Sequence, residues 1–129
     1  MVYVIAELGI NANGDMDVAE ALIDVAVEAG ADAVKFQKRT ISVVYTEAEL
    51  AKPRQSPWGT TTRQQKEGLE FSLDQYRQLA GYCARKGIAW SASCWDLESV
   101  AQIASLGVPW LKVPSALITD HALLQAYKD

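Results

Sequence analysis

Histidine occurs once in this 129-residue chain, as His121, and cysteine only twice, as Cys83 and Cys94. With so few soft donors, no group of histidines, cysteines and carboxylates offers three evident metal ligands, and no metal site is expected within the segment. The two cysteines lack metal-type spacing. One falls in a helical pattern (QYRQLAGYCARKG) and the other at a strand end, so two buried thiols are expected rather than a disulfide. Cys94 and His121 form a conceivable nucleophile–base pair, but a thiol at a strand end is expected to pack, not to react. Phosphate-cradling glycine loops are missing as well, since neither GxGxxG nor GxxxxGK[ST] occurs. The apolar runs fall far short of a membrane span. The opening VYVIAELGI has neither a basic leader nor a small-residue cleavage site, so the expected location is cytoplasmic. Twelve Lys and Arg face sixteen Asp and Glu, giving a formal net charge of -4. That balance provides no broad basic surface, and neither nucleic acid nor an anionic membrane is expected as a partner. A local basic pocket stays compatible with it.

What is present suffices for one core: 50% of the residues are hydrophobic and 22% charged. Four segments read as strands, Val2 to Leu8, Ala33 to Gln37, Ile88 to Ser93 and Trp110 to Val113. Between them lie helical periods. Val18 to Ala29 carries an apolar stripe with Asp17 as cap and Gly30 as stop, and Ser72 to Lys86 repeats the design with Gly87 as terminator. Asp96 caps a third helix running to Ser105, and a fourth begins near Asp120. Alternating strands and helices predict an α/β fold built of parallel (β/α) units. The exception is Arg39 to Leu69, a long connection with a short helix expected around Glu47 to Lys52. A connection of that length above a parallel sheet is functional more often than idle, and a disordered insertion is the alternative. An open three-layer domain could be complete in 129 residues, whereas a closed eight-stranded barrel needs about 250.

In the stretch ADAVKFQKRT an ammonium group interrupts an apolar run. Strand alternation puts Lys35 and Gln37 on one face, Val34 and Phe36 on the other. The other strands also end in polar groups: Glu7, then Ser91 and Ser93, then Lys112. In parallel β/α folds the carboxyl ends of the strands form the ligand-binding edge. Side by side, these strands gather two lysines, a carboxylate and several hydroxyls around one hollow. Two lysines suit a dianion such as a phosphate or a phosphorylated carboxylic acid, with Ser93 and Ser115 as neutral donors. Glu7 is either a structural ion pair or a group that handles a proton or orients a metal-bound water. The following turn, GINANGD, brings Asn11, Asn13 and Asp15 towards the same rim, unless its side chains serve only to stabilise the turn.

Four motifs, VIAELGINANGD, GADAVKFQKRT, SPWGTTTRQQKEGLEF and WLKVPSALITD, together resemble the N-terminal half of the sialic acid synthases. These comprise N-acetylneuraminate synthases and their legionaminate and pseudaminate relatives, and the resemblance extends over essentially the whole chain. It implies roughly the first half of a TIM (β/α)8 barrel, with the remaining strands and any small antifreeze-like C-terminal domain lying outside this chain. The implied reaction condenses phosphoenolpyruvate with an N-acetylated aldose such as N-acetylmannosamine, giving a nine-carbon keto acid and phosphate. By the same resemblance Lys35 and Lys112 contact the carboxylate or phosphate of phosphoenolpyruvate, aided by Ser93 and Ser115, while Glu7 sits near the reacting carbons. Gln37, Thr61 and Arg63 fall at the rim or sugar side, and Asn11 and Asn13 join them there. A divalent cation, Mn2+ or Mg2+, is implied for the full-length protein, held by ligands outside this segment, and His121 matches none of them. Ala12 and Leu117 depart from the family pattern, standing where many relatives have histidine and some have glutamate. Those departures bear on which sugar is accepted. Half a barrel leaves two open sheet edges, so a homodimer is expected. A non-catalytic half-barrel assembly module and a different barrel aldolase or keto-sugar-acid synthase are the alternative readings.

Overall fold

The computed structural model describes residues 1–129. In chain order the elements are β1 (Ile5–Gly9), α1 (Met16–Glu28), β2 (Ala33–Lys38), α2 (Ile41–Val44), α3 (Glu47–Leu50), β3 (Pro53–Ser56), β4 (Gly59–Thr61), α4 (Thr62–Leu69), α5 (Leu73–Lys86), β5 (Ala89–Cys94), α6 (Leu97–Ala104) and α7 (His121–Lys128). A 3-10 turn spans Ser115–Leu117. The main sheet has the order β1-β2-β5, all parallel, and β3 and β4 form a separate antiparallel hairpin.

Alternation along the strands fixes where the core lies. Leu8, Val34, Phe36, Trp90, Ala92 and Cys94 share the face that packs on the helices, within one cluster of 18 buried residues. Aromatic rings fill its centre. Phe36, Phe71 and Tyr76 meet edge to face with centroids 5.9–6.5 Å apart, and Tyr76 stacks on Trp90 at 5.9 Å. The Tyr76 hydroxyl donates to the Gln37 carbonyl at 2.5 Å, so the one polar atom of that ring is satisfied. Both thiols are free and buried, as expected, and burial pushes each up to about 12.

Helix ends follow local side-chain chemistry. Ser72 and Gln75 form a reciprocal capping box at the start of α5, and Gly87, with φ of 70°, ends it in the left-handed conformation. α1 starts earlier than the apolar stripe predicts, because Asp15 rather than Asp17 accepts from the free N–H groups of Asp17 and Val18. β1 in turn begins three residues late. Val4 spends its N–H on the Asp32 carboxylate at 2.7 Å, and Met1 to Val4 stay exposed.

The segment from Trp110 to Val113 does not form the fourth strand expected of it. Only Lys112 bridges, in parallel, to Ser93. Pro109 and Pro114 flank the segment and cannot donate to a ladder. Side chains take the carbonyls instead: Ser91 donates to that of Trp110, and the Tyr127 hydroxyl lies 2.7 Å from that of Lys112. The connection from Arg39 to Leu69 is ordered throughout, through α2, α3, the hairpin and α4. It docks against the first turn at a point where only glycine fits. Gly14 has φ of 71°, and a Cβ there would lie 2.0 Å from the Gly68 carbonyl oxygen. A Cβ on Gly68 would meet the Trp58 ring at 2.3 Å.

Asp96 joins two parts of this scaffold. It caps α6 through Ser99 N–H and Ser99 Oγ, both at 2.8 Å, and accepts from Thr40 N–H at 2.7 Å and Thr40 Oγ1 at 2.9 Å. Burial works to raise its pKa, but the donors of Thr40 and Ser99 outweigh it and hold the carboxyl below its usual range. A lowered folded-state pKa stabilises the fold above the unfolded value of about 3.9, and that contribution disappears as pH falls through the folded value. Asp96→Ala is expected to cost about 2 kcal/mol at pH 7 by urea denaturation. Asp96→Asn should show a deficit against the native protein that shrinks as the pH is lowered below about 4. A deficit independent of pH would mean that the charge contributes nothing.

Candidate active site

The polar face of the sheet carries the hollow. In the ladder Glu7 pairs with Lys35, Lys35 with Ser91, Gln37 with Ser93, and Ser93 bridges to Lys112. That register sets six of the residues singled out from the sequence around one concavity of about 180 Å3: Glu7, Lys35, Gln37, Ser93, Lys112 and Ser115. Trp95 and Pro114 complete its wall.

Lys35 is 2% exposed, yet its ammonium is well satisfied. It pairs with Glu7 Oε2 at 2.8 Å and donates to Ser93 Oγ at 2.8 Å. Because Ser93 Oγ accepts this bond, its own hydrogen remains available to a ligand oxygen. Glu7 is open on the other side, with its side chain 57% exposed, and its second oxygen makes no hydrogen bond. The ion pair read from the sequence is therefore formed, and it leaves a carboxylate oxygen free towards the hollow. Lys112 is exposed at the opposite side, and its ammonium makes no ion pair. The site thus has one cation fixed in the sheet and one free to follow a ligand. Such a pair fits an anion with two separated charged groups.

The segment that carries Lys112 is held by Tyr127 of α7. The Tyr127 hydroxyl accepts from Cys94 N–H at 2.9 Å, and its hydrogen is directed at the carbonyls of Cys94 (2.8 Å) and Lys112 (2.7 Å). Burial raises its pKa, so the phenol stays protonated and able to donate. Neither Tyr127 nor Trp95 stood out in the sequence. Trp95 directly follows a strand whose end is polar, and that adjacency was a usable signal. Tyr127 gave none, because its partners are backbone atoms 15 and 33 residues away.

The remaining candidates lie elsewhere. Asn11 is exposed on the turn. Asn13 adopts a left-handed φ of 54° and lines a separate cleft with Arg54 and Trp58. Thr61 is the N-cap of α4, in a capping box with Gln64. Arg63 pairs with Glu47 at 2.6 Å and with Glu67 at 3.6 Å. Gln37 does reach the rim, with its amide 3.7 Å from the position of a Cβ on Gly9. No group of three or more His, Cys, Asp or Glu side chains in this chain could hold a metal ion. The residues present do not fit a divalent cation on their own.

Comparison with known proteins bears on the family and the fold of the chain. A model of the NeuB family matches residues 22–129. The human N-acetylneuraminate-9-phosphate synthase is 43% identical over 125 residues, covering 95% of this chain and 35% of that protein. The N,N'-diacetyllegionaminic acid synthase of Legionella pneumophila is 35% identical, again over 95% of this chain and 35% of its own length. The chain spans about a third of the length of these relatives. Among solved structures, an N-acetylneuraminic acid (sialic acid) synthetase from Leptospira borgpetersenii, in complex with citrate, superimposes with a TM-score of 0.81 at 28% identity. It covers 97% of this chain and 40% of that one. The mixed α/β architecture with parallel strands is that of the synthetase, and the partial coverage agrees with part of a barrel.

Tyr127→Phe removes the bond to the Lys112 carbonyl and the acceptor for Cys94 N–H. It is expected to cost about 1–2 kcal/mol by chemical denaturation. It should also speed amide exchange at Cys94, where an unchanged exchange rate would rule out the hydroxyl as the tie.

Proposed function

The chain belongs to the NeuB family, and from that premise we propose that it forms part of an enzyme making a nonulosonic acid. In the proposed reaction phosphoenolpyruvate condenses with an N-acylated aldose and phosphate is released. One observation carries the reading: a buried ammonium, Lys35, is held by Glu7 and Ser93 at the edge of a hollow that a second lysine, Lys112, also lines.

In this reading phosphoenolpyruvate lies between the two lysines, its carboxylate and phosphate shared between Lys35 and Lys112. Ser93 Oγ donates to a ligand oxygen, and Ser115 supplies a further hydroxyl. C3 of phosphoenolpyruvate forms a bond to the aldehyde carbon, whose oxygen takes a proton. Water adds at C2, giving up a proton that the free oxygen of Glu7 is suited to accept. The tetrahedral intermediate then loses phosphate by C–O cleavage as its C2 hydroxyl gives its proton to the departing phosphate, leaving the 2-keto acid. Gln37 stands on the side from which the sugar approaches. Asn11, Asn13, Thr61 and Arg63 belong to the surrounding turn and connection, and their proposed part is to shape the sugar side. A divalent cation, Mn2+ or Mg2+, is proposed to be held by residues outside these 129, and no step above runs through it.

The acceptor divides the relatives by name, since one makes a 9-phosphate and another a legionaminic acid. Both phosphorylated and unphosphorylated N-acetylmannosamine are therefore the acceptors to compare, in a cytoplasmic setting. A second reading, assembly of half-barrels into a homodimer, draws support from the place of β1 at the sheet edge and from Val2, Tyr3 and Val4 just ahead of it, which are 50–81% exposed. Sedimentation of the intact protein separates the two, because a monomer that turns over substrate leaves no need for assembly.

The direct test is phosphate release by the intact native protein, supplied with phosphoenolpyruvate, Mn2+ or Mg2+ and either acceptor. Lys112→Ala is expected to raise KM for phosphoenolpyruvate at least tenfold, about 1.4 kcal/mol, while the exposed position leaves the melting temperature nearly unchanged. Glu7→Gln is expected to lower kcat more than KM. Release that does not depend on the sugar would remove the condensation from consideration.

A further inference from the structure

Lys38 is a buried cationic side chain that the hollow does not use. It is 8% exposed, and alternation turns it to the opposite face of β2 from Lys35 and Gln37. There it lines a cleft of about 440 Å3, bounded by the end of β2, the start of α5 and the outer side of α6. This cleft shares no lining residue with the hollow. The Lys38 ammonium makes neither a hydrogen bond nor an ion pair, and, with its stem buried, its nitrogen stays open to solvent at the cleft.

Its neighbour, Arg39, is 5% exposed and only partly satisfied. Nε donates to Glu70 Oε1 at 2.8 Å and Nη1 to the Tyr45 hydroxyl at 2.8 Å, while Nη2 is buried with no partner. The nearby carboxylates do not complete the set. Glu70 is engaged by Arg39, and burial raises its pKa despite that pairing. Asp96 spends its oxygens on Thr40 and Ser99. Two buried cationic side chains therefore keep donors in hand at one cleft.

Neutral donors stand beside them. Ser72 Oγ accepts from Gln75 N–H, so its hydrogen is free, and Gln75 Oε1 accepts from Ser72 N–H, which leaves the amide nitrogen free. Both lie at the N-terminal end of the 14-residue helix α5, where the helix dipole favours negative charge. Glu67 and Glu98 also line the cleft, though one is drawn to Arg63 and the other holds Gln102. Their presence disfavours a polyanion. We propose that this cleft is a second anion site, taking the single phosphate or carboxylate group of a small soluble metabolite at Lys38 Nζ, with the guanidinium charge of Arg39 beside it.

The test uses inorganic phosphate as the probe and the intact native protein carrying Lys112→Ala, so that binding in the hollow is suppressed. Calorimetric titration is expected to show phosphate binding that weakens at least tenfold when Lys38→Met is added, since methionine keeps the length and loses the charge. Equal affinity with and without Lys38→Met, or no phosphate binding in the Lys112→Ala background, overturns the proposal. Crystals of the unmutated protein soaked in selenate give a readout that does not depend on the variant folding. An anomalous peak within hydrogen-bond distance of Lys38 Nζ is expected, and its absence at saturating selenate counts equally against the site.

Discussion

The ammonium of Lys35 sits inside a parallel sheet, and two neighbouring strands must supply its acceptors. β1 brings Glu7 and β5 brings Ser93, each to 2.8 Å. A single-residue slip of either strand would turn that acceptor to the helix side and leave the buried charge short of one of its two partners. The lysine therefore fixes the register of the sheet as well as the site's charge. The same alternation sends Phe36 and Trp90 into the aromatic cluster around Tyr76. Core and hollow are two outcomes of one periodicity.

Much of this was legible in the residues. The central strands, the α5 cap and stop, the Asp96 cap and the gathering of Glu7, Lys35, Ser93, Lys112 and Ser115 rest on short-range rules, namely alternation, capping and the polar strand end. What escaped depended on partners distant in sequence. Trp110 to Val113 has strand composition, but its carbonyls bond to Ser91 and Tyr127, which no local pattern announces. Thr61 and Arg63 were expected at the rim or sugar side through the family resemblance alone, which local pattern does not reach. In the fold their side chains cap and brace the connection from Arg39 to Leu69.

The two cations of the hollow differ in how they are held. Lys35 is fixed by a buried hydrogen-bonded pair, whereas Lys112 projects from a segment with a single ladder bridge. The precision of the second therefore rests on Tyr127, whose hydroxyl binds the backbone at both Cys94 and Lys112. A helix that contributes no side chain to the hollow thus sets its width. Preorganisation of this kind lets a ligand meet the site with little reordering of the chain.

The docking of Gly14 against Gly68, with Trp58 closing over the second glycine, has a consequence for how this chain tolerates change. From Thr40 to Leu69 most contacts are local: capping boxes at α3 and α4, a four-residue hairpin strand, and the bond from Thr62 N–H to Lys52. Such a segment closes on itself, so exposed residues along it, other than Trp58 at the hairpin turn, can be exchanged with small effect on the sheet beneath. The glycine seam works differently, because any side chain there forces two backbones apart. Variation is thereby channelled to the hairpin, where the overhanging segment can be reshaped while the strand ends keep their chemistry.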